Sequence, residues 1–484
     1  MLENLDNKKI FTYFEEISNV PRGSFHNEKI SGYLVDFARK HGLEYRVDEA
    51  LNVVIKKPAS VDCKTREPVM LQGHMDMVCV SEDGSHDFEN EGLKLQVVGD
   101  YIEAEGTTLG GDDGIALAYV LAVLDSDAYT HPPIEAVFTT DEEVGMEGAS
   151  ALEVSDLKAK RLINLDNEEE GVLLVSCAGG ATAQVTFSSP GGEMVGQEIE
   201  ISVEGLTGGH SGTEIERHPL NASVFLGRLL YMAWNQYPFQ LISFEGGDKD
   251  NVITRQASAR LMCREGAEEL IRVLKKYGGS LTEECRGSEP EAVFDIGEPH
   301  ERKTRCFSEN FTENILRFLN LTITGVQGMS SEVPGMVESS LNMGIARTQE
   351  DSVLFGFSVR SQKETYRDYM LHQLQWLAEC VSTEDTECRF EVRGKYPAWD
   401  YRRDSVLREI MVEEFKKIFG REPRVEGIHA GLECGILFEK IPGLDIVSMG
   451  PEIMNIHTVN EKLCISSAIK NFDFLIHVLK RLAE

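Results

Sequence analysis

Apolar and polar positions along this chain follow two periods that trade places repeatedly. LDNKKIFTYFEEIS, NEKISGYLVDFARKHG and GIALAYVLAVLDSD are helical in length and spacing, whereas VVIKKP, VMLQGH, IEAVFTT and LINLD are short apolar runs of strand length. This alternation, from residue 1 to about 182, predicts an α/β domain with a mostly parallel central sheet flanked by helices. From about Ala398 it resumes, with a helix at DSVLREIMVEEFKKIFG, a strand at DIVSMG and a closing helix at SAIKNFDFLIHVLKRLAE. Residues 1–182 and 398–484 are therefore expected to build one domain.

The stretch between them, 183–397, reads as an inserted α+β domain of two similar halves. The first half has a strand near EIEISVEGL, a helix near NASVFLGRLLYMAWNQ and strands near FQLISFEGG and ASARLMC. The second has helices near NFTENILRFLNL and YRDYMLHQLQWLAEC flanking the strands SSLNMGIARTQ and SVLFGFSVRS. None of the residues singled out below as metal ligands falls in it, so a lid is the natural reading.

The apolar runs of the first domain end in chemistry. His74 and Asp76 lie in LQGHMDMV, Asp112 in TLGGDDGIA, Glu142 and Glu143 in TTDEEVGMEGA, Asp166 in LINLDNEEEG and His457 in MGPEIMNIHTVN. Each follows or ends an apolar run, where open α/β sheets place their ligands. Two divalent ions carry four positive charges; a bridging Asp112, terminal Glu143 and Asp166 and one hydroxide supply four negative ones. His74 and His457 add one neutral imidazole to each ion, a donor set that zinc, cobalt or manganese accepts.

The other two acids have separate tasks. Residues i and i+2 of a strand project to one face, so Asp76 can take the second ring N–H of His74 and fix its tautomer. Glu142 and Glu143 are adjacent, their side chains diverge, and one can hold metal while Glu142 serves as general base towards the attacking water. Singly, a His-x-Asp, a Glu-Glu pair or a lone histidine is more often structural. The conjunction is specific.

Composition narrows the class. A chain of 484 residues, 42% hydrophobic and 27% charged, is too long for one core and should form two or more domains. A formal charge of −33, from 81 acids against 48 bases, argues against nucleic-acid or anionic-membrane partners. The start MLENLDNKKIFTYFEEI is polar and acidic, and no stretch reaches the roughly 18 apolar residues of a spanning helix, so a cytoplasmic protein is expected. Ten cysteines without C-x-x-C pairs fit reduced thiols. Cys434, in GLECG, is a minor candidate nucleophile.

GHMDMV, LGGDDGIA, TTDEEVGMEG, INLDNEEEG, GGHSG and MGPEIMNIHT resemble the motifs of the co-catalytic dizinc peptidases, the family of peptidase T, carnosinase and carboxypeptidase and aminoacylase relatives. The resemblance covers essentially the whole chain. LINLDNEEEG followed by SCAGG, GIHAGLECG and SMGPEIMNIHTVNEKL look most like its dipeptidases that accept Xaa-His substrates. It implies a zinc-peptidase catalytic domain, His74, Asp112 and Asp166 on one ion, and Asp112, Glu143 and His457 on the other. It also implies a cis peptide between Asp112 and Asp113, although relatives often have Gly-Ala-Asp-Asn or Gly-Ala-Asp-Asp where this chain has Gly-Gly-Asp-Asp.

In the lid, the resemblance makes His210 of GLTGGHSGTE the group that stabilises the oxyanion. It makes Arg360, at a strand end and able to offer a planar fork, and Asn251 contacts for a substrate carboxylate. His429 and Glu433 of GIHAGLECG, in the C-terminal part of the catalytic domain, would line the substrate cavity; charge complementarity lets Glu433 meet the free α-amine of a dipeptide, with a structural salt bridge as the alternative. The implied activity is metal-dependent hydrolysis of dipeptides, Xaa-His included, with two ions, zinc by default and cobalt or manganese as alternatives. An aminotripeptidase, an N-acyl amino-acid deacylase or a carboxypeptidase would share the metal residues and differ in the pocket. A lid of this size would form a homodimer interface, towards which the reading leans, or supply within one chain what smaller lids borrow from a neighbour.

Overall fold

Val69–His74 and Ile134–Thr139 are buried at every position, the pattern of strands covered on both faces. They form the centre of an eight-stranded sheet in a computed structural model that describes residues 2, 5 and 9–484. The chain divides into two compact units, Met1–Cys177 with Trp399–Gly427 and Leu432–Glu484, and Ala178–Ala398 with Ile428–Gly431.

In the first unit the sheet order is Glu44–Val47, Val53–Lys57, Ile134–Thr139, Val69–His74, Arg161–Asn164, Asp445–Ser448, Val172–Cys177, Arg424–Ile428. The third to sixth of these pair in parallel, while the strands at the Glu44 edge and Val172–Cys177 pair antiparallel. The sheet is therefore mixed, with a parallel centre. Four strands pointing one way gather their carboxyl ends along one edge, which makes that edge the place for a site.

The helix Gly111–Asp125 is buried from Gly111 to Leu124 and apolar all round beyond Asp113, as a central helix must be. It shares one core with the helices Ile10–Ser18, Val406–Phe419 and Ile465–Ala483 and with the inner residues of the strands. Phe14, Leu117, Phe138 and Phe472 are fully buried there, each contributing roughly 1.5–3 kcal/mol. The first helix was expected from Leu5; its positions 6–8 lie outside the described residues.

A smaller sheet joins Ile453–Met454, Lys462–Cys464, Tyr101–Ala104 and Leu95–Val98 in that order. The first two strands make a hairpin, with Ile453 opposite Leu463 and Met454 opposite Lys462. His457 lies in its loop.

The second unit is built on one ten-stranded antiparallel sheet. Its central pair is Gln240–Asp248 with Val337–Gln349. Outward on one side come Ala257–Cys263, Gly192–Glu204 and Val293–Ile296, and on the other Ser352–Ser361, Gly179–Ser188 and Glu387–Tyr396. Each half has a helix before its central strand, Ala222–Trp234 or Glu309–Leu321, and one after the next strand, Ala267–Cys285 or Glu364–Val381. The halves thus share one element order, and their helices contribute to one core.

Some details depart from the sequence reading, which gives residues 178–182 and Ala398 to the catalytic domain, whereas they fall in the second unit. The helix Ala267–Cys285 is absent from that reading; Gly278 and Gly279 interrupt the helical pattern, and a Cβ at Gly278 would sit 3.4 Å from the Phe294 ring. Residues 428–431, assigned to the catalytic domain, belong with the second unit, where Ala178 N–H donates to the Ile428 carbonyl at 3.1 Å and His429 Nε2 lies 2.7 Å from Ser340 Oγ.

Candidate metal centre

His74 closes the strand Val69–His74, and Glu142 and Glu143 follow Ile134–Thr139. Asp166 follows Arg161–Asn164, and Asp112 sits at the start of the central helix. Seven predicted residues of the first unit, His74, Asp76, Asp112, Glu142, Glu143, Asp166 and His457, are brought together at this edge.

Asp112 lies between the two imidazoles. Its Oδ1 is 3.1 Å from His74 Nε2 and its Oδ2 is 3.1 Å from His457 Nε2. His457 Nε2 is also 3.0 Å from Glu143 Oε2, and His74 Nε2 is 3.9 Å from Asp166 Oδ1. The Asp112–Asp113 peptide is cis.

Donor atoms of Asp112, Glu143 and His457 lie within 4.8 Å of one another, as do those of His74, Asp113 and Asp166, and of His74, Glu142 and Glu143. Asp113 is an addition: it is buried and its Oδ2 accepts from the His74 backbone N–H at 3.3 Å.

Asp76 holds the set in position. Its Oδ1 is 3.4 Å from His74 Nδ1 and accepts from Glu142 N–H at 3.0 Å, while its Oδ2 accepts from Ser24 Oγ at 2.8 Å and Glu143 N–H at 3.4 Å. The Asp76 carbonyl is 3.1 Å from the same Nδ1. With Nδ1–H turned to these acceptors, Nε2 faces Asp112 and Asp166 and is the nitrogen left for a cation. Asp141 secures the neighbouring turn, its Oδ1 accepting from Phe25 N–H at 2.6 Å and Asn27 Nδ2 at 2.7 Å.

Electrostatics test whether these residues suit cations. Burial disfavours charge on His74, but Asp112, Asp76 and Asp166 outweigh it and hold the imidazole well above its ordinary range. Hydrogen bonds to Asp112 and Glu143 push His457 up to about 10. Burial, then the charges of Glu433, Glu143 and Asp112, lifts Glu142 to about 8 although His74 pulls it down. Burial likewise lifts Glu168 to about 7, with Asp112 adding to the rise. Among the described residues, Asp112, Glu143 and Asp166 form ion pairs only with His74 and His457, and the buried Glu143 Oε1 has no hydrogen-bond donor. Crowded carboxylates and imidazoles that retain protons are a donor set short of positive charge, and two divalent ions fit it.

The predicted residues of the second unit form their own group. His210 pairs with Val252 in a two-stranded ladder, and Ser211 N–H donates to the Asn251 carbonyl at 2.9 Å. The His210 Nδ1 accepts from Gly212 and Thr213 N–H at 3.3 and 3.2 Å, which leaves Nε2–H as the outward donor. Arg360 donates from Nη1 to Tyr396 Oη at 3.0 Å, and its buried Nε has no partner. Burial and then Arg360 depress both histidines, His429 to about 3, so the cluster presents positive charge and neutral donors suited to an anion.

Glu433 stands beside the acids of the metal centre. It belongs to the first unit, is 0% exposed, and its Oε2 accepts from Gln72 Nε2 at 2.5 Å and Thr139 Oγ1 at 2.7 Å. Both partners are side chains at the strand ends, and the buried Oε1 has no hydrogen-bond partner. Cys434 is buried, and burial pushes its thiol well above the ordinary cysteine range, the environment of an inert thiol.

Sequence reasoning also missed Arg22 and Glu461, both buried. NVPRGS carries no chemical motif. Glu461, four residues after His457, could have been suspected as an acid close to a ligand.

The chain resembles known proteins over nearly its whole length. Residues 70–484 match the sequence profile of peptidase family M20/M25/M40. The cytosol non-specific dipeptidase of Escherichia coli strain K12 is 32% identical over 485 residues, 99% of each chain. The crystal structure of aminoacylhistidine dipeptidase from Vibrio alginolyticus superposes with a TM-score of 0.92 at 34% identity, over 99% of this chain and 98% of that one. An aminopeptidase structure from Bacillus cereus shares the fold at 17% identity, with a TM-score of 0.59 and coverage of 99% and 100%. On the profile match and two full-length relatives above 30% identity, the chain belongs to peptidase family M20/M25/M40 and is a peptide-bond hydrolase.

Proposed function

We propose that the protein is a metal-dependent dipeptidase of broad specificity, Xaa-His substrates included. One observation carries the metal dependence: Asp112 offers one carboxylate oxygen to each of two imidazoles, His74 and His457, and among the described residues Asp112, Glu143 and Asp166 pair with no lysine or arginine. The substrate class rests on the dipeptidases of Escherichia coli and Vibrio alginolyticus, each matched over nearly its whole length. The former is described as cytosolic, and we assign this chain to the cytoplasm on that ground.

In this reading His74, Asp112 and Asp166 hold one ion, and Asp112, Glu143 and His457 the other, with zinc the default and cobalt or manganese alternatives. Bound divalent ions polarise the scissile carbonyl and bring a water's pKa to about 7. Glu142 takes the proton of the attacking water and returns it to the leaving amine. Asp76 keeps His74 in one tautomer. His210, Arg360 and Asn251 keep the roles the motif resemblance gives them, oxyanion donor and carboxylate contacts; His429, beside Arg360, adds a neutral wall to the carboxylate site.

A panel of carnosine, Leu-His, a tripeptide, an N-acetyl amino acid and a longer peptide, with chelator and metal add-back, tests this. The expected result is turnover of the dipeptides alone, abolished by chelator and restored by metal. Preferred cleavage of the tripeptide, the N-acetyl amino acid or the longer peptide would move the assignment to an aminotripeptidase, a deacylase or a carboxypeptidase. Chelator-resistant turnover would end the metal reading.

A further inference from the structure

The segment that delivers the bridging carboxylate, Leu109–Asp112, is gripped from both sides by buried charges. On the N–H side, Glu461 Oε2 accepts from Leu109 at 2.8 Å and Gly110 at 2.9 Å, and its Oε1 accepts from Gly111 at 2.8 Å and Asp112 at 3.3 Å. On the carbonyl side, Arg22 donates from Nη2 to Gly110, and from Nη1 to Met75 at 3.0 Å and Asp76 at 2.9 Å. Arg22 is 2% and Glu461 3% exposed.

Two glycines make the grip close. Gly110 has φ of +62°, and a Cβ there would lie 2.4 Å from Arg22 Nη2; a Cβ at Gly111 would lie 3.2 Å from Glu461 Oε1. Four donors on one buried carboxylate exceed what a helix start needs, because a cap ordinarily meets one or two of them.

Glu461 also belongs to the hairpin loop that carries His457. Its N–H donates to the Thr458 carbonyl at 3.2 Å, Thr458 Oγ1 donates to the Asn455 carbonyl at 2.8 Å, and Asn455 Nδ2 donates to the Asn460 carbonyl at 3.3 Å. One rigid turn thus presents His457 and anchors the backbone of Asp112. Through Arg22 the same bracket reaches the backbone immediately after His74.

We propose that Glu461 and Arg22 are positioning residues that fix Asp112 relative to both His74 and His457, so that binding of a cation pair depends on them although neither is a ligand. The proposal rests on the two-metal reading above. Outer groups of this kind are worth about 10- to 100-fold in metal affinity.

The experiment is a cobalt(II) titration of the metal-free full-length protein, followed calorimetrically and by visible absorbance, for wild type, Glu461→Gln and Arg22→Lys. The glutamine keeps the shape and loses half the acceptors; the lysine keeps the charge and loses the fork, and serves where E461Q does not fold. The wild type should take two equivalents. The variants should lose at least tenfold in affinity for one of them, gain less melting temperature from cobalt than the wild type, and recover turnover at raised cobalt. Variants that melt earlier without metal yet bind both equivalents with wild-type affinity overturn the proposal. A wild type that takes no pair of ions overturns the two-metal reading itself, and this proposal with it.

Discussion

Asp112 and His457 are 345 residues apart in the chain, and their facing atoms, Oδ2 and Nε2, are 3.1 Å apart. The other oxygen of the same carboxylate faces His74 at an equal distance. Since one group serves both imidazoles, Asp112→Ala should lower bound divalent metal from two equivalents to at most one and remove measurable turnover. Metal analysis beside a dipeptide assay checks this, and full turnover in the variant would refute the centre.

Glu142 can be separated from the ligands. Its backbone N–H is fixed by Asp76, but its carboxyl group contacts neither imidazole at ion-pair distance among the described residues. Glu142→Gln should therefore lower kcat about 10²- to 10⁴-fold while metal content stays at the wild-type level. Loss of metal in that variant would make Glu142 a ligand instead of the base.

Most of this site was legible because its parts end apolar runs. The pattern that announces Val69–His74 and Ile134–Thr139 as buried strands also announces where their carboxyl ends fall, so His74, Glu142 and Glu143 come with the fold. The supports were not legible. Arg22 is a lone cation in a loop, and only three-dimensional contact shows that its partners are carbonyls of residues 75, 76 and 110. The hairpin carrying His457 has strands of two and three residues, too short for any period to register. The donors that hold Glu433 were not legible either, because Gln72 and Thr139 reach it from strands distant in sequence.

Cation binding should strengthen as pH rises. Asp112 and Glu143 hold the folded His457 at about 10, against about 6.5 for an unfolded imidazole. A raised folded value means that this group's contribution to the stability of the metal-free protein is complete below about 6.5 and is lost as pH climbs through about 10. A cation must displace the same proton, so affinity should increase up to about tenfold per pH unit for each proton released. Cobalt titrations at pH 6, 7 and 8 in buffers of different ionisation enthalpy measure both quantities. Constant affinity without proton release would show that His457 is not a ligand.

Arg360 offers a separate handle on substrate choice. Its Nη1 is committed to Tyr396, while its buried Nε lacks a partner. If that fork receives the carboxylate of a dipeptide, Arg360→Ala should raise KM about 10- to 100-fold for free dipeptides and leave dipeptide amides nearly unaffected. Equal losses on acid and amide would place Arg360 among structural residues.

The turn beneath the general base depends on one glycine. A Cβ on Gly148 would lie 2.1 Å from the Thr140 carbonyl oxygen and 2.5 Å from its nitrogen, both backbone atoms that cannot rotate away. The same place is already fixed by Gly148 N–H donating to that carbonyl at 3.0 Å, and by Asn52 receiving from Thr140 N–H at 3.0 Å and donating to the Gly148 carbonyl at 2.9 Å. Gly148→Ala must therefore push Thr140 aside, at a cost of about 1–3 kcal/mol. Thr140 leads directly into Asp141, Glu142 and Glu143, so the displacement reaches the base and a ligand together. The expected variant melts at lower temperature, turns over more slowly and binds its second metal equivalent more weakly. A stability loss of that size with wild-type kcat and metal affinity would show that the turn bends without moving its acids.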